Sequence, residues 1–474
     1  MRKFTVFTLL AMATSTVDAG SLGPLIDDSY GQSGLAHVGF DIGGDKVDTA
    51  QASVLLADGS LIVGGVVAVQ AGNGGAPETR QVVLTKLTPA GAPDMNFGTN
   101  GRKTLSIIPA GGQGELQDIA ITSGGEIALV ARYTTDAFFN PPFIFAFALL
   151  KSDGTPDSSF NLSGYRTIAA TAFNAGANST TASRVIPVAG GKLVGIVGVG
   201  SPTQYCVGVI RLGSDGSTDP TFAGGAGTAC YSSNATPPIF EPQDALLLGS
   251  GDILVTGLAN HGVDANNGDI AVMRLLVGGT VDTGFGTSGW TYVAYDQGGS
   301  QLDQGDAIAV DSQGRIIVAG YFQGPQSQDI AVVRLSGNGI LDSSFGTGGR
   351  VAVAFDVGQD DDDRANSVIV LPGDSLLVGG FAHFFGTGDS GYRAAAVELN
   401  AGGSVRAAFG SSGEYVQGGI NATAYQKLES PAPFRKFADY LLMPGTTYKA
   451  DDSDSDFGVA RVVLPLFVSG FETD

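Results

Sequence analysis

The sequence predicts an all-β fold: a seven-bladed β-propeller of four-stranded antiparallel blades, closed by an N-terminal strand that completes the last blade. Three observations carry this expectation. A unit typified by LDSSFGTGGRVAVAF at 341–355 returns seven times, each full unit holds four short β-like runs, and the two ends of the chain hold complementary fragments of one unit.

Aligned on its aromatic residue, the unit falls at Tyr30, Phe97, Phe160, Phe222, Phe285, Phe345 and Phe409, a spacing of roughly 60 to 67 residues, which is the size of a propeller blade. An Asp stands three residues earlier at Asp27, Asp94, Asp157, Asp219, Asp282 and Asp342, with Arg406 in its place in one unit. A Gly follows the aromatic at Gly31, Gly98, Gly286, Gly346 and Gly410, with Asn161 and Ala223 as departures. Asp and Gly are turn formers, because the carboxylate bonds nearby N–H groups and Gly tolerates positive φ. The aromatic is then expected to be a buried anchor pinning the turn between neighbouring units.

Taken in order, the chain opens on Arg2 and Lys3, an apolar run from Phe4 to Ala13 and the small-residue pattern Val17-Asp18-Ala19. This predicts a signal peptide over 1–19 and an exported protein, whether extracellular, periplasmic or at the cell surface. Residues 20–468 are expected to form one propeller and 469–474 a short tail, with no transmembrane segment after signal cleavage. Gly is abundant, at 72 of 474 residues, and charged residues make up only 15%, as suits a turn-rich β fold. A formal charge of −21 argues against nucleic acid as a partner, since phosphate backbones need clustered Lys and Arg.

Within the unit at 306–355 the runs DAIAV, RIIVAGYF, DIAVVRL and RVAVAF are separated by turn signals such as Ser312-Gln313-Gly314 and Gly337-Asn338-Gly339. Four strands per unit bury two faces only by stacking on neighbours, and radial stacking gives a propeller. The fragment IDDSYGQSGLAHVGF at 26–40 is a final turn and strand without its first three strands. DFGVARV at 456–462 is a third strand without its fourth. Each supplies what the other lacks, which is the circular closure that removes a sheet edge.

DSSFGTGG, DTGFGTSG and DMNFGTNG, each following a strand such as DIAVVRL, resemble the delta-60 repeat family of bacterial secreted and surface proteins. The resemblance spans essentially all of the mature chain, most strongly from about 240 to 415. It implies a β-propeller and assigns no activity, catalytic residue or cofactor.

Several constellations bear on chemistry. Asp452, Asp454 and Asp456, and the run 360–363, gather carboxylates of the kind a hard cation such as Ca²⁺ takes, although no Glu stands at the twelfth position of an EF-hand loop. Asp264, Asn266, Asn267 and Asp269 form a weaker acidic loop, and acidic runs are ordinarily solvated. His37, His261 and His383 fall at unrelated repeat positions without zinc spacing, and no G-x-S-x-G elbow occurs. No catalytic constellation is evident. At the start of each unit's first strand stands a polar residue, Gln51, Gln117, Ser183, Gln243, Asp306 or Asn366, with Pro431 the seventh. If that strand is innermost, these residues line one end of the central channel, binding a ligand or satisfying backbone groups. Cys206 and Cys230 stand symmetrically about Thr218 and predict a disulfide across one hairpin. The expectation is a monomeric binding or interaction module for a protein or glycan ligand. The alternative is a carbohydrate- or polymer-active hydrolase or lyase with carboxylates at the channel mouth.

Overall fold

A computed structural model describes residues 25–464 apart from 41, 43–46, 71–78, 136–140, 202–203, 234–238, 261–266, 296–301, 356–361, 387–388, 411–413, 417–424, 430–432 and 450–454. Residues 1–24 and 465–474, which include the expected signal peptide and tail, therefore lie outside the described residues. Among the described residues no helix is long and apolar enough to cross a membrane.

Seven antiparallel sheets follow one another along the chain. Blade 1 runs, from the innermost strand outward, through Asp48–Leu55, Leu61–Gln70, Thr79–Leu87 and Arg102–Leu105, and blade 2 through Gln113–Ile121, Ile127–Thr134, Ile144–Leu150 and Tyr165–Ala169. Blades 3 to 6 repeat the pattern from Ser179–Val188, Phe240–Leu247, Asp303–Val310 and Asp363–Val370. Blade 7 is composite: Tyr425–Glu429 and Arg435–Phe437 pair with Tyr440–Lys449, which pairs with Ser455–Val463. On that last strand lie Leu35–Val38 and Leu25–Ile26, so the N-terminal segment supplies the outermost strand of blade 7. The propeller is a closed ring.

The second and third strands of the blades are largely buried, as IIVAGYF at 316–322 is throughout, because both faces of each blade are covered by neighbours. The repeated aromatics are the anchors of this packing: Tyr30, Phe97, Phe160, Phe222, Phe285, Phe345 and Phe409 are each at most 2% exposed. In six of the seven units the residue after the aromatic donates its N–H to a turn carbonyl of the next blade, as Gly286 does to Asn338 and Gly346 to Gly402, at 2.9 and 2.8 Å. At Gly403 of that turn φ is +91°, and a Cβ there would lie 3.0 Å from the Phe345 ring, so the ring and the next blade's turn fit only with glycine between them.

An arginine on the third strand completes the latch. Arg334 donates through Nε to Asp342 at 2.8 Å, stacks 4.6 Å over the Phe345 ring and donates through Nη1 to Ala401 O in the following blade, at 2.5 Å. Arg211, Arg274 and Arg461 make the same three contacts with their own Asp, aromatic ring and next-blade carbonyl. The unit with Arg406 in the Asp position reverses the polarity: Glu398 replaces the third-strand arginine, and Arg406 Nη1 donates to its Oε1 at 3.0 Å. The pair survives with its charges exchanged.

A second inter-blade tie recurs at the start of the innermost strands. Buried Asp48, Asp303 and Asp363 each accept, at 2.6 Å, the backbone N–H of the aromatic two residues beyond the preceding outermost strand: Phe40, Tyr295 and Phe355.

Cys206 and Cys230 form a disulfide with a Cα separation of 5.5 Å. Register places Cys230 opposite Gly208, two residues from Cys206, so the bridge runs diagonally across one face of the pair rather than between directly opposed residues.

Candidate functional site

The innermost strands converge on a central channel, and each of the first six carries an irregularity in its pairing to the second strand. In blades 1, 2, 4, 5 and 6 one extra residue intervenes: Gln51, Gln117, Gln243, Asp306 and Asn366 respectively. A bulge bends the strand and re-aims a side chain. All five of these residues line a cavity of about 740 Å³ in the channel.

Ser183 does not. In blade 3 the irregularity falls earlier, between Thr180 and Ser183, so Ser183 pairs opposite Val197 and is 1% exposed, while Ala182 lines the cavity. The expectation for Ser183 is corrected by this shift of the bulge. Pro431 lies outside the described residues.

The structure adds a charged set that the repeat alignment does not single out. Asp118, Arg184 and Asp244, each one place beyond the aligned polar position on its strand, face the same cavity with Asp306, Arg364 and Arg435. Three carboxylates and three guanidinium groups thus share one concavity in a protein whose formal charge is −21.

Two of the carboxylates are engaged by the scaffold. Asp118 accepts Val185 N–H in blade 3 at 3.0 Å. Asp244 accepts Arg184 Nε at 2.9 Å, its following N–H at Ala245 at 2.9 Å, and Ile308 N–H in blade 5 at 3.0 Å. Both stitch neighbouring blades together around the channel. Gln51 does likewise, accepting Leu116 N–H through Oε1 at 2.9 Å. Asp306 is different: its partner is Gln304 Nε2, at 2.6 Å on its own strand.

The guanidinium groups also divide. Arg184 is paired with Asp244, and the carboxylates of Asp244 and Asp118 outweigh the cost of burial to hold its pKa above the ordinary value. Arg364 donates to Gln328 and stacks 4.4 Å over the Tyr321 ring. Arg435 donates to the carbonyls of Phe434 and Ser53 at 3.2 and 2.6 Å, and burial pulls its pKa down. Among the described residues neither Arg364 nor Arg435 has a carboxylate within ion-pairing distance.

Each charged group keeps some surface toward the channel while protein surrounds it on its other sides, and that environment disfavours charge. Burial pushes the Asp118 carboxyl up to about 6 against the opposing pull of Arg184 and the Val185 N–H. It pushes Asp306 up to about 7, opposed by the Gln304 hydrogen bond and by Arg364. Asp306 is thus a carboxyl that both holds and releases a proton near neutrality.

The remaining residues of interest lie elsewhere. Asp452 and Asp454 are outside the described residues, and Asp456 is buried in blade 7, where its backbone carbonyl accepts Thr447 Oγ1 at 3.2 Å. Of the 360–363 run, Asp362 accepts Gln328 N–H and Asp363 the Phe355 N–H, and Asp269 is buried at the third strand of blade 4. Among the described residues no three His, Cys, Asp or Glu are grouped to hold a metal. His37 lies on the closing strand, His383 packs against Tyr392 in blade 6 with ring centroids 4.9 Å apart, and His261 is outside the described residues.

A second concavity of about 770 Å³ lies beside the outermost strand of blade 5. Two of its polar side chains are tied to the scaffold, Tyr295 Oη to the carbonyls of Val332 and Val351 and Arg350 Nε to Ala294 O, and no carboxylate or side-chain amide lines it among the described residues. The channel holds the better candidate site.

Three segments, 191–222, 249–285 and 312–345, match the model of a β-propeller family described as a domain of unknown function (DUF5122). No curated protein sequence matches the chain. Similar solved structures include the polysaccharide lyase Uly1, at 10% identity over 92% of this chain and 93% of that one with a TM-score of 0.47. A PL25 ulvan lyase bound to a GlcA-Rha3S saccharide is 11% identical over 90% of this chain and 96% of that one, with a TM-score of 0.43. A GH43_1 enzyme from Xanthomonas citri is 11% identical over 61% and 90%, with a TM-score of 0.33. Likenesses at this level bear on neither substrate nor reaction.

Proposed function

We propose that this protein is an exported, non-catalytic binding module that takes a polar glycan in the mouth of its central channel. The observation that carries this reading is the cavity of about 740 Å³, where the amide side chains of Gln51, Gln117, Gln243 and Asn366 converge from four blades. Amides offer donors and acceptors together, which suits hydroxyl-rich ligands, and a fixed ring of them pre-organises the site. The signal-like segment at 1–19 supports export.

The test is calorimetric titration of the mature protein against a glycan panel that includes peptidoglycan fragments. Binding of at least one glycan, weakened severalfold or more by Gln243→Ala with an unchanged melting temperature, supports the reading. Binding indifferent to Gln243→Ala would place the ligand elsewhere and sink it.

One observation favours the hydrolase or lyase reading. Asp306, poised near neutrality, shares its cavity with the carboxylates of Asp118 and Asp244, and a carboxyl that can give and take a proton is what acid–base cleavage needs. That reading requires release of new chain ends from a polysaccharide and its loss in Asp306→Asn. Binding without cleavage removes it.

A further inference from the structure

The charge pattern of the channel selects among glycans. We propose that the site takes an acidic saccharide, one bearing a carboxylate, and that this carboxylate docks on Arg364 at the channel mouth. The inference rests on the channel being the glycan site.

Two of the three carboxylates of the cavity are held by the scaffold. Asp118 accepts a backbone N–H, and Asp244 accepts Arg184 and two further N–H groups. Arg364 stands the other way. Its Nε is used by Gln328 and one face of its plane by Tyr321, while both terminal nitrogens are without a hydrogen-bond partner among the described residues, and its side chain lines the cavity. A guanidinium fork held by stacking, with two N–H edges free in a shielded site, matches a carboxylate in bidentate geometry. Arg435, likewise without a carboxylate in direct ion-pair contact among the described residues, adds a second guanidinium to the same concavity, with Asp118 and Asp244 acting on it only at longer range. Shielded charge of this kind is ordinarily neutralised, and a ligand anion would do so.

Asp306 then acts as a proton-linked neighbour. The groups that bear on it are Gln304 on its own strand, Arg364 in blade 6, Arg184 in blade 3 and Asp244 in blade 4, with Tyr321 on the adjacent strand. A carboxylate seated on Arg364 shields that cation from Asp306 and adds like charge beside it, so both effects favour protonated Asp306. Complex formation therefore takes up a proton near neutral pH. Affinity falls as pH rises through about 7.

The experiment titrates mature wild-type protein with glucuronate-, galacturonate-, mannuronate- and guluronate-containing trisaccharides, each beside its carboxyl-reduced neutral counterpart. Titrations at pH 6 and pH 8 use two buffers of different ionisation enthalpy. At least one acidic trisaccharide should bind about ten- to a hundredfold more tightly than its reduced form. Arg364→Gln should erase that preference, and Arg364→Lys, which keeps the charge but not the fork, should keep part of it. Proton uptake should appear in wild type and vanish in Asp306→Asn. Reduced forms that bind as tightly as the acids, or a preference that survives Arg364→Gln, would overturn the inference and leave the channel reading in place. Binding of neutral panel glycans alone would also overturn it. A protein that binds no glycan, acidic or neutral, would bring down the channel reading and this inference together.

Discussion

At the scale of single residues, the channel shows what burial does to charge. Asp306 has its pKa raised from 3.8 to about 7 in the fold, mainly by burial. Between these values the folded protein holds a proton that the unfolded chain has released, so stability falls as pH rises from about 4 to about 7 and stays lowered above that. Asp306→Asn keeps an acceptor for Gln304 and removes the ionisation. It should raise the melting temperature at pH 8, with the advantage shrinking toward zero at pH 4. A difference independent of pH would show that the carboxyl is not strained by burial. Phe345, with 0% exposure, belongs to the other class of residue, and Phe345→Ala should cost about 3 to 5 kcal/mol at any pH. Measuring denaturant midpoints for both variants across pH separates the two behaviours.

At the scale of elements, the blade-to-blade latch was half legible. The repeated Asp-x-x-aromatic pattern and its glycine pointed to a turn with a buried ring, because turn chemistry and aromatic burial are local properties of the sequence. The third-strand arginine stood in plain view in DIAVVRL, but its partners lie in three places: the following turn, the ring and the next blade. Periodicity alone does not connect them. The same limit applies in the channel, where the aligned polar column found Gln51, Gln117, Gln243, Asp306 and Asn366 but not the neighbouring Asp118, Arg184 and Asp244. A bulge brings adjacent residues to one side, so a column and the column beside it both reach the cavity, and the shifted bulge of blade 3 takes Ser183 out of it. Arg364 and Arg435 carried no such signal, the second because its unit is the least regular. Arg406, which stands in the Asp position of its unit, is half of an exchanged pair with Glu398. Arg406→Asp alone should set two carboxylates against each other and destabilise blade 6 by roughly 1 to 3 kcal/mol. Adding Glu398→Arg, which recreates the Arg334 and Asp342 arrangement, should recover most of that loss. A double-mutant cycle with no coupling would refute the pairing. The disulfide, enclosing a sequence separation of 24, should contribute about 3 kcal/mol in the chain-entropy model, read as a lower melting temperature after reduction.

At the scale of the whole molecule, closure of the ring holds the propeller together, and the structure shows how to test it without merely breaking it. Leu35–Val38 pairs with 457–460 on the last blade, and Tyr30, Leu35, Val38 and Phe40 are buried there. At about 1.5 to 3 kcal/mol for each large apolar side chain, removing residues 25–40 forfeits on the order of 10 kcal/mol, comparable with the whole stability of an ordinary domain. The truncated chain should therefore lose its cooperative melt. Such a loss alone would not distinguish closure from general damage, so the segment should also be moved. In blade 5 the third strand ends at Leu335, the next turn occupies 336–340, and Leu341 pairs back onto Leu335. In blade 7 Val462 stands where Leu335 does, and Ile26 pairs with it as Leu341 does. A chain that begins near Asp48 and joins Val462 to Ile26 through the five residues 336–340, SGNGI, would build the last blade from consecutive strands. This permuted protein should melt close to the parent while the truncation does not. If the permuted chain melts no better than the truncated one, the N-terminal strand is not the closing element and the ring is held by other contacts.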